Sequence, residues 1–397
     1  MPDIKTSPPL ALYIHIPWCV RKCPYCDFNS HAVVNNLVSE HAYVDALVRD
    51  LEFELPRIWG RRINSVFLGG GTPSLFSAEA IGRLLAVLRT HLNLAPGCEI
   101  TLEANPGTAE AARFSGYHET GVNRISIGVQ SFTDPILQRL GRIHNGEQAI
   151  FAIELARQSG FDNINLDIMF GLPGQSVADA IQDLEIATGF NTTHLSWYQL
   201  TIEPNTVFYS DPPQLPDEDV LWAIQDEGSR YLAGHGFRQY EVSAYAKGSR
   251  YCRHNLNYWR FGDYLGIGAG AHGKITNPAT GTISRYARHR MPDRYMHLAG
   301  KPEVIVTEQQ LSVSDVVLEF MMNAMRLTEG VATEVFTEHT GLPIDVAEKE
   351  LHHARDRKLI DYDMDHIKPT EIGRRYLNDL LQIFMRDGRS QPASAGY

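Results

Sequence analysis

The chain has 397 residues, of which 43% are hydrophobic and 21% are charged, an ordinary balance for a globular protein. Its length favours one large core accompanied by a smaller domain. The formal net charge of −11 provides no basic surface for phosphates, so we expect no nucleic acid as a partner. No apolar run approaches the roughly 20 residues that span a bilayer, and the first residues lack the apolar segment of a signal peptide. We therefore expect a cytoplasmic protein without a transmembrane segment.

Short apolar runs alternate with amphipathic segments of helical length from residue 11 to about residue 204. This alternation predicts βα units, whose right-handed crossovers produce a parallel sheet. The predicted strands are Ala11–Ile16, Ser65–Leu68, Glu99–Ala104, Arg124–Gln130, Asn163–Met169 and His194–Ile202. The predicted helices are Glu40–Leu55, Ala78–Leu92, Glu147–Gln158, Val177–Ala187 and Glu218–Ala233. Six such units form an α/β fold, a partial (β/α)6 TIM-like barrel, with its chemistry at the carboxyl ends of the strands.

Three of the predicted strands alternate polar and apolar residues, although parallel strands are usually apolar on both faces. Successive side chains of a strand point to opposite faces, so each strand has one polar face, which we expect to line the barrel. The predicted lining residues are Thr101, Glu103, Arg124, Ser126, Gly128, Gln130, Asn163, Asn165 and Asp167. Such an interior is a cavity for a polar ligand, not a packed core.

Three of the five cysteines, Cys19, Cys23 and Cys26, lie within eight positions directly after the first predicted strand. Clustered thiolates in a cysteine-poor chain favour a metal or iron–sulfur site over disulfides. A [4Fe–4S] cluster normally takes four cysteines, so three would leave one iron with an open position. A structural zinc site is the alternative. The candidates for its fourth ligand are His15, His31, Cys98 and Cys252.

The spacing Cys19-x-x-x-Cys23-x-x-Cys26, with an aromatic residue at Tyr25, resembles the cluster loop of the radical S-adenosylmethionine (SAM) superfamily. The resemblance implies a [4Fe–4S] cluster whose open iron binds the amino and carboxylate groups of SAM. It also implies that the run Gly69–Pro73 is the glycine-rich segment that contacts SAM, although a tight strand-to-helix turn explains the run about as well. The SAM contacts that the resemblance implies are Tyr13, Gly70, Gly71, Thr72, Glu103, Gln130, Arg142 and Asp167. For Arg142 the alternative is a surface helix arginine.

A second motif, His254-Asn255-x-x-Tyr258-Trp259, resembles a heme-associated motif of the HemW-type heme chaperones, in the coproporphyrinogen-dehydrogenase-like branch of that superfamily. The resemblance implies that these residues bind heme. Imidazole is a normal axial ligand of heme iron, and the two aromatic rings could stack on a porphyrin. From composition alone, His254 is a structural histidine. Cys252 is either an alternative thiolate ligand or a buried free cysteine.

The run Gly266–Gly273 predicts either a loop of close backbone approach, beside the adenine of SAM, or a bend. After about residue 305 the βα alternation stops. The predicted elements there are the helices Val316–Arg326, Thr333–Thr340, Asp345–Arg357 and Thr370–Met385, with an extended turn at Leu359–Lys368. This order suggests a winged-helix-like unit, and its low basic content favours packing or partner docking over DNA binding.

These features divide the chain into predicted domains. The predicted boundaries are residues 1–235 for the radical SAM core with its cluster loop at 17–28, 236–304 for an extension carrying the second motif, 305–388 for the helical domain and 389–397 for a disordered tail.

The resemblance covers nearly the whole chain and leaves two functions. One is a heme chaperone that transfers heme to acceptor proteins, among them membrane-bound respiratory enzymes; the other is an oxygen-independent coproporphyrinogen III oxidase. The oxidases carry a further cysteine after the third one, where this chain has Asp27 and Phe28. They also have a longer N-terminal extension than the dozen or so residues before Tyr13. Both departures favour the chaperone. The sequence leaves open whether SAM is cleaved and whether the protein is a homodimer.

Overall fold

The computed structural model of the protein describes residues 4–33 and 39–385. The predicted disordered tail, residues 389–397, lies outside the described residues. The strands are β1 (Leu10–Ile16), β2 (Trp18–Cys19), β3 (His31–Ala32), β4 (Arg62–Gly70), β5 (Asn93–Ala104), β6 (Arg124–Gln130), β7 (Ile164–Phe170), β8 (His194–Gln199), β9 (Arg238–Glu241), β10 (Ala244–Ala246), β11 (Asp263–Ile267), β12 (His272–Asn277), β13 (Thr282–Arg288), β14 (Ile305–Gln310), β15 (Val331–Ala332), β16 (Ile360–Tyr362) and β17 (His366–Pro369).

The helices that accompany these strands are α1 (Glu40–Ile58), α2 (Ala78–His91), α3 (Thr108–Ala111), α4 (Phe114–Thr120), α5 (Asp134–Arg139), α6 (Gly146–Gln158), α7 (Val177–Gly189), α8 (Val207–Ser210), α9 (Glu218–Gly234), α10 (Arg253–Trp259), α11 (Pro292–Leu298), α12 (Val313–Ala324), α13 (Thr333–Thr340), α14 (Glu348–Asp356), α15 (Glu371–Arg375) and α16 (Leu377–Gln382).

One large sheet organises the protein. Its strands follow the order β14-β13-β12-β11-β1-β4-β5-β6-β7-β8-β10-β9. The central strands, β11, β1 and β4 to β8, run parallel, and the strands at both sides run antiparallel. This confirms the predicted α/β fold and all six predicted parallel strands. The polar inner face of β1 and β4 to β8 encloses the space that we call the lumen.

The apolar faces of the same strands explain why the sheet forms. Leu12, Leu68 and Leu102 point outward and are completely buried in the main core. Burying a leucine side chain contributes about 1.5–3 kcal/mol. The helices supply the covering layer, and α2 begins as predicted after Ser77, whose hydroxyl accepts a hydrogen bond from the Ala80 N–H at 3.1 Å.

The strands β9 to β14 were not predicted from the sequence. They are short and of mixed polarity, and β12 even buries a lysine, Lys274, which pairs with Asp263 at 2.8 Å. Local hydrophobic periodicity cannot reveal such strands, because the ion pair forms between two strands. At the other side of the sheet, β8 ends at Gln199, so its predicted extension to Ile202 is wrong.

The C-terminal region has its own core, built around Phe320 and Phe336, and a small sheet in the order β15-β17-β16. The hairpin β16–β17 lies at the predicted extended turn, Leu359–Lys368. The predicted single helix over residues 370–385 is wrong, because Tyr376 has non-helical backbone angles and separates α15 from α16. Trp259 of α10 also belongs to this core, so α10 links the C-terminal region to the barrel.

Candidate functional site

The three clustered cysteines lie on the loop after β1, at the carboxyl end of the sheet. All are half-buried free thiols. Each contacts a different polar group: Thr72 Oγ1 donates to Cys19 Sγ at 3.5 Å, Arg142 Nη1 donates to Cys23 Sγ at 3.5 Å, and Ser30 Oγ lies 3.8 Å from Cys26 Sγ. Donors directed at sulfur favour the thiolate form, which is the metal ligand.

Burial raises the pKa of the Cys19 and Cys26 thiols, and hydrogen bonds oppose the rise. The soft donor set therefore fits an iron–sulfur cluster, whose iron would stabilise the thiolates. Among residues 4–33 and 39–385, no three His, Cys, Asp or Glu side chains form a group suited to a single metal ion. Nε2 of His15 lies 2.8 Å from Asn29 O, and Nε2 of His31 lies 3.2 Å from Arg290 O, so these ring nitrogens already have partners.

A chain of hydrogen bonds connects two of the cysteines through the sheet. Arg142 Nη2 donates to Asn105 Oδ1 at 2.8 Å, and Asn105 Nδ2 donates to Thr72 Oγ1 at 3.0 Å. With the contacts of Thr72 and Arg142 to sulfur, this chain runs from Cys19 to Cys23. Sequence reasoning missed Asn105, which follows β5 directly; its position after a strand with a polar face is the signal that could have found it.

Arg142 is therefore not a surface helix arginine. It follows α5 in a turn, and its guanidinium also donates to Gly128 O at 2.8 Å. The charges of Tyr25 and Cys23 raise the pKa of Arg142 against the opposing effect of burial. It therefore remains a cation beside the cysteine loop.

The lumen contains two neighbouring carboxyl groups, as the alternation of β5 and β7 predicts. Glu103 Oε2 accepts a hydrogen bond from Gly70 N–H at 3.0 Å. Burial, followed by the charge of Asp167, raises the pKa of Glu103 to about 8. Asp167 accepts hydrogen bonds from Ser126 Oγ at 3.0 Å and Asn165 Nδ2 at 2.8 Å, and burial raises its pKa. Two half-buried carboxyl groups whose pKa values are raised form a site for a positively charged ligand.

The remaining predicted SAM contacts surround these carboxyl groups. Tyr13 lies beside Gly69 on the inner face, and its hydroxyl bonds to His15 Nδ1 at 3.0 Å. Gln130 ends β6 at a bulge with φ +70°, and its Oε1 accepts from Tyr198 OH at 2.8 Å. Tyr198 is thus a further lumen residue that the sequence did not single out.

Both glycine-rich segments lie where backbones approach closely. Gly70 has φ +117°, and a Cβ there would lie 2.5 Å from the His15 ring. In the second segment, a Cβ on Gly268 would lie 2.4 Å from His15 O, and one on Gly270 would lie 2.3 Å from Asn29 Nδ2. The predicted close approach of Gly266–Gly273 therefore exists, but it is directed at the base of the cysteine loop.

The second motif occupies α10 and lies apart from the cysteines, at the amino ends of the strands. His254 Nδ1 lies 3.2 Å from Ser65 Oγ near the start of β4, and its ring centroid is 5.0 Å from that of Phe67. The imidazole is 8% exposed, and burial lowers its pKa to about 3. Asn255 is half-buried on the same helix.

The aromatic residues of the motif face the C-terminal region. Tyr258 stacks on Tyr264 at a centroid distance of 4.7 Å, and Trp259 lies under the Arg326 guanidinium at 4.5 Å. Cys252 is fully buried at the start of α10, and burial raises its pKa to about 12, so its thiol stays protonated. The structure thus brings the predicted cluster and SAM residues together and places the second motif apart from the cysteines, with the His254 ring 6.3 Å from the ring of Tyr13.

Comparisons with known proteins agree with this arrangement. The Radical SAM superfamily matches residues 13–187, and the HemN C-terminal domain matches residues 311–376. The heme chaperone HemW of Haemophilus influenzae is 49% identical over 384 residues, which cover 96% of this chain and 99% of that protein. The chain belongs to the HemW family of the radical SAM superfamily.

Other HemW proteins match over a comparable share of the chain. The heme chaperone HemW of Escherichia coli is 49% identical, and the match covers 96% of this chain and 99% of that protein. The heme chaperone HemW of Bacillus subtilis is 33% identical, and the match covers 94% of this chain and 99% of that protein. The solved coproporphyrinogen III oxidase HemN of Escherichia coli superimposes with a TM-score of 0.79 at 21% identity, over 95% of this chain and 90% of that one. HemN and this HemW-family chain therefore share a fold. Within the described residues, no helix is long and apolar enough to cross a membrane.

Proposed function

We propose that this protein is a heme chaperone that binds one [4Fe–4S] cluster, SAM and heme, and transfers heme to acceptor proteins. The observation that carries the proposal is the 49% identity to HemW proteins over 96% of the chain. We expect the protein to be located in the cytoplasm and its partners to be heme-accepting proteins, among them membrane-bound respiratory enzymes.

Cys19, Cys23 and Cys26 would hold the cluster, which supplies one-electron chemistry and an iron position for SAM. Thr72 and Arg142, whose donors already contact two of the three sulfurs, would hold the thiolates in position. The hydrogen-bond chain through Asn105 keeps these donors in a fixed relation to each other.

The lumen would hold SAM between the cysteine loop and the carboxyl groups. Glu103 and Asp167 attract the positively charged sulfonium and ammonium groups, and the Gly70–Thr72 segment lets the backbone approach. Gln130, Tyr13 and Arg142 complete the wall. Burial of these residues excludes water, which strengthens each polar contact.

Heme would bind at the α10 segment, with His254 as the iron ligand. Its Nδ1 is engaged by Ser65, so Nε2 is the nitrogen for iron. Because His254 is only 8% exposed, heme binding at this residue requires α10 to move away from the strands. Asn255, Tyr258 and Trp259 lie on the same helix and would then face the porphyrin.

The oxidase is the second candidate, and only the shared fold with HemN favours it. The chain has Asp27 and Phe28 where the oxidases carry a further cysteine, and neither side chain supplies a thiolate.

The deciding experiment uses the anaerobically reconstituted full-length protein. Loaded with heme and mixed with an apo-acceptor, it should lose heme to the acceptor, which is measured by the Soret absorption of each protein after separation. The same preparation, given SAM, a reductant and coproporphyrinogen III, should yield no decarboxylated product. Product formation at a catalytic rate, with no heme transfer, would establish the oxidase instead.

A further inference from the structure

Arg124, the first residue of β6, is a buried cation that the proposed function does not use. It is 2% exposed, and its Nε is buried without a hydrogen-bond partner. Within the described residues, its guanidinium makes neither a hydrogen bond nor an ion pair. A guanidinium carries five N–H donors and stays charged in proteins. Since an unpaired buried charge is costly, a ligand or water must complete this site.

Thr101 provides a second, independent observation at the same place. It is the direct neighbour of Arg124 across the β5–β6 ladder. Its side chain is completely buried, and its Oγ1 has no hydrogen-bond partner. Because Thr101 and Arg124 both lie on the inner face of the sheet, their free donors meet in the lumen.

The surrounding groups indicate which anion fits. Glu99 Oε1 already accepts hydrogen bonds from the Arg253 and His254 N–H groups, at 2.9 and 3.2 Å. Glu99 and, farther along the lumen, Asp167 add negative charge near Arg124. A dianion such as phosphate would be repelled by these carboxyl groups, whereas a single carboxylate matches the fork of one guanidinium.

The site also lies deeper than the proposed SAM contacts. Glu103 pairs with Ser126 and Asp167 pairs with Gly128, which follow Arg124 by two and four residues on the same strand. At about 3.3 Å per residue, these separations are about 7 and 13 Å along the lumen. Arg124 thus lies at the amino ends of the strands, the same end as His254. Burial lowers the pKa of the His254 imidazole, and the positive charge of Arg124 lowers it further.

We propose that Arg124 and Thr101 form a carboxylate-binding site at the inner end of the lumen. The carboxylate belongs to a propionate of heme, since the carboxylate of SAM is expected on the iron at the opposite end of the lumen; the inference rests on the proposed function for this source. Arg124 donates two parallel hydrogen bonds to the carboxylate oxygens, and the Thr101 hydroxyl donates a third. The site fixes the orientation of the ligand that enters the lumen.

The test compares heme with its dimethyl ester, which lacks the free carboxylates. Heme affinities are measured by Soret titration in wild type, Arg124→Met, Arg124→Lys and Thr101→Val. We expect wild type to prefer the free acid over the ester by about tenfold to a hundredfold. Arg124→Met should abolish that preference. Arg124→Lys, which keeps the charge and loses the fork, should retain part of it.

Arg250→Met is the control, because Arg250 is an exposed arginine that pairs with Asp162 at the surface. It should keep the wild-type preference. The same preference in wild type and Arg124→Met would overturn the proposal and leave water at the inner end. If Arg124→Met does not fold, unchanged preferences in Arg124→Lys and Thr101→Val overturn it. A wild-type protein that binds heme and its ester equally overturns the proposal and leaves the proposed function intact, whereas a protein that binds no heme overturns both.

Discussion

Arg142 donates a hydrogen bond to Cys23 Sγ at 3.5 Å, although the two residues are 119 positions apart in the sequence. The Nη2 atom of the same guanidinium donates hydrogen bonds to Gly128 O and Asn105 Oδ1, each at 2.8 Å. The loop that carries the cysteines is therefore tied to β6 and to the end of β5. This contact couples the proposed cluster site to the lumen.

We expect Arg142→Met to weaken this coupling. The substitution leaves two buried acceptors unpaired, at a typical cost of about 1–3 kcal/mol for each. The reconstituted cluster should then be lost to an iron chelator several times faster than in wild type, as followed by the absorbance of the iron complex. Arg89→Met, which alters an arginine bonded to Thr120 O at the surface, should leave the rate unchanged. Equal rates in Arg142→Met and wild type would contradict a role for Arg142 at the cluster.

Cys19, Cys23 and Cys26 should each be necessary for the cluster. Replacing Cys23 by Ala should abolish cluster assembly, because only three thiolates are available and none can be spared. Iron and sulfide per chain are the measurement. Cys98→Ala is the matched control, since Cys98 is buried at the opposite end of β5 and should have no effect on iron content. Unchanged iron and sulfide in Cys23→Ala would refute the assignment.

SAM binding should strengthen as pH rises through about 8. In the folded protein the pKa of Glu103 is raised from 4.5 to about 8, so at pH 7 the carboxyl is mostly protonated and lacks the charge that attracts a cation. Above pH 8 it is ionised. Calorimetry of SAM binding between pH 6.5 and 9 should therefore show a falling Kd and release of a proton from Glu103 on binding.

Glu103→Gln is the control for this pH effect, because it keeps a hydrogen-bond acceptor for Gly70 and cannot ionise. The part of the pH dependence that belongs to Glu103 should disappear, and the affinity above pH 8 should fall by about tenfold, as expected for the loss of one charged contact. Identical pH profiles in the two proteins would exclude Glu103 from the SAM site.

The raised pKa of Glu103 also has a consequence for stability. The folded protein retains this proton between pH 4.5 and about 8, where an unfolded chain has released it. The Glu103 carboxyl therefore lowers the free energy of unfolding as pH rises through this window. In urea unfolding of the protein without ligands, Glu103→Gln should lose less stability than wild type between pH 5 and 8.

Heme binding should be insensitive to pH around 6.5. An exposed histidine would lose its lone pair to a proton there, whereas burial lowers the pKa of His254 to about 3. His254→Ala should change the Soret band, and Cys23→Ala should keep it. A Soret band unchanged in His254→Ala would exclude His254 as ligand and leave Cys252 for the same test.

The sequence predicted the site residues that lie within a single strand. The alternation of β5 and β7 placed Glu103 and Asp167 on one inner face, because period-two geometry is local. The position of Arg142 required the family resemblance, since its turn reaches the cysteines only after the sheet has formed. Tyr198 could not be predicted, because its partner Gln130 is distant in sequence. Asn105 was missed although it directly follows a strand with a polar face.

The same reasoning explains why the position of α10 could not be predicted from the sequence. The motif beginning at His254 is easily recognised, but nothing local shows that its helix covers the amino ends of the strands. That position follows from Glu99, which holds the first turn of the helix, and from Trp259, which packs in the C-terminal core. Only the folded structure shows that the buried guanidinium of Arg124 has an Nε without a hydrogen-bond partner.

The position of β1 has a consequence for the synthesis of the protein. This strand, which leads into the cysteine loop, pairs on one side with β4 and on the other with β11, whose last residue is Ile267. Asn29 of the loop donates to the carbonyls of Ala269 and Arg290. The cysteines leave the ribosome first, yet the framework that holds their loop is complete only after residue 290 has emerged. We therefore expect the proposed cluster to be inserted into the folded loop only late in the synthesis of the chain.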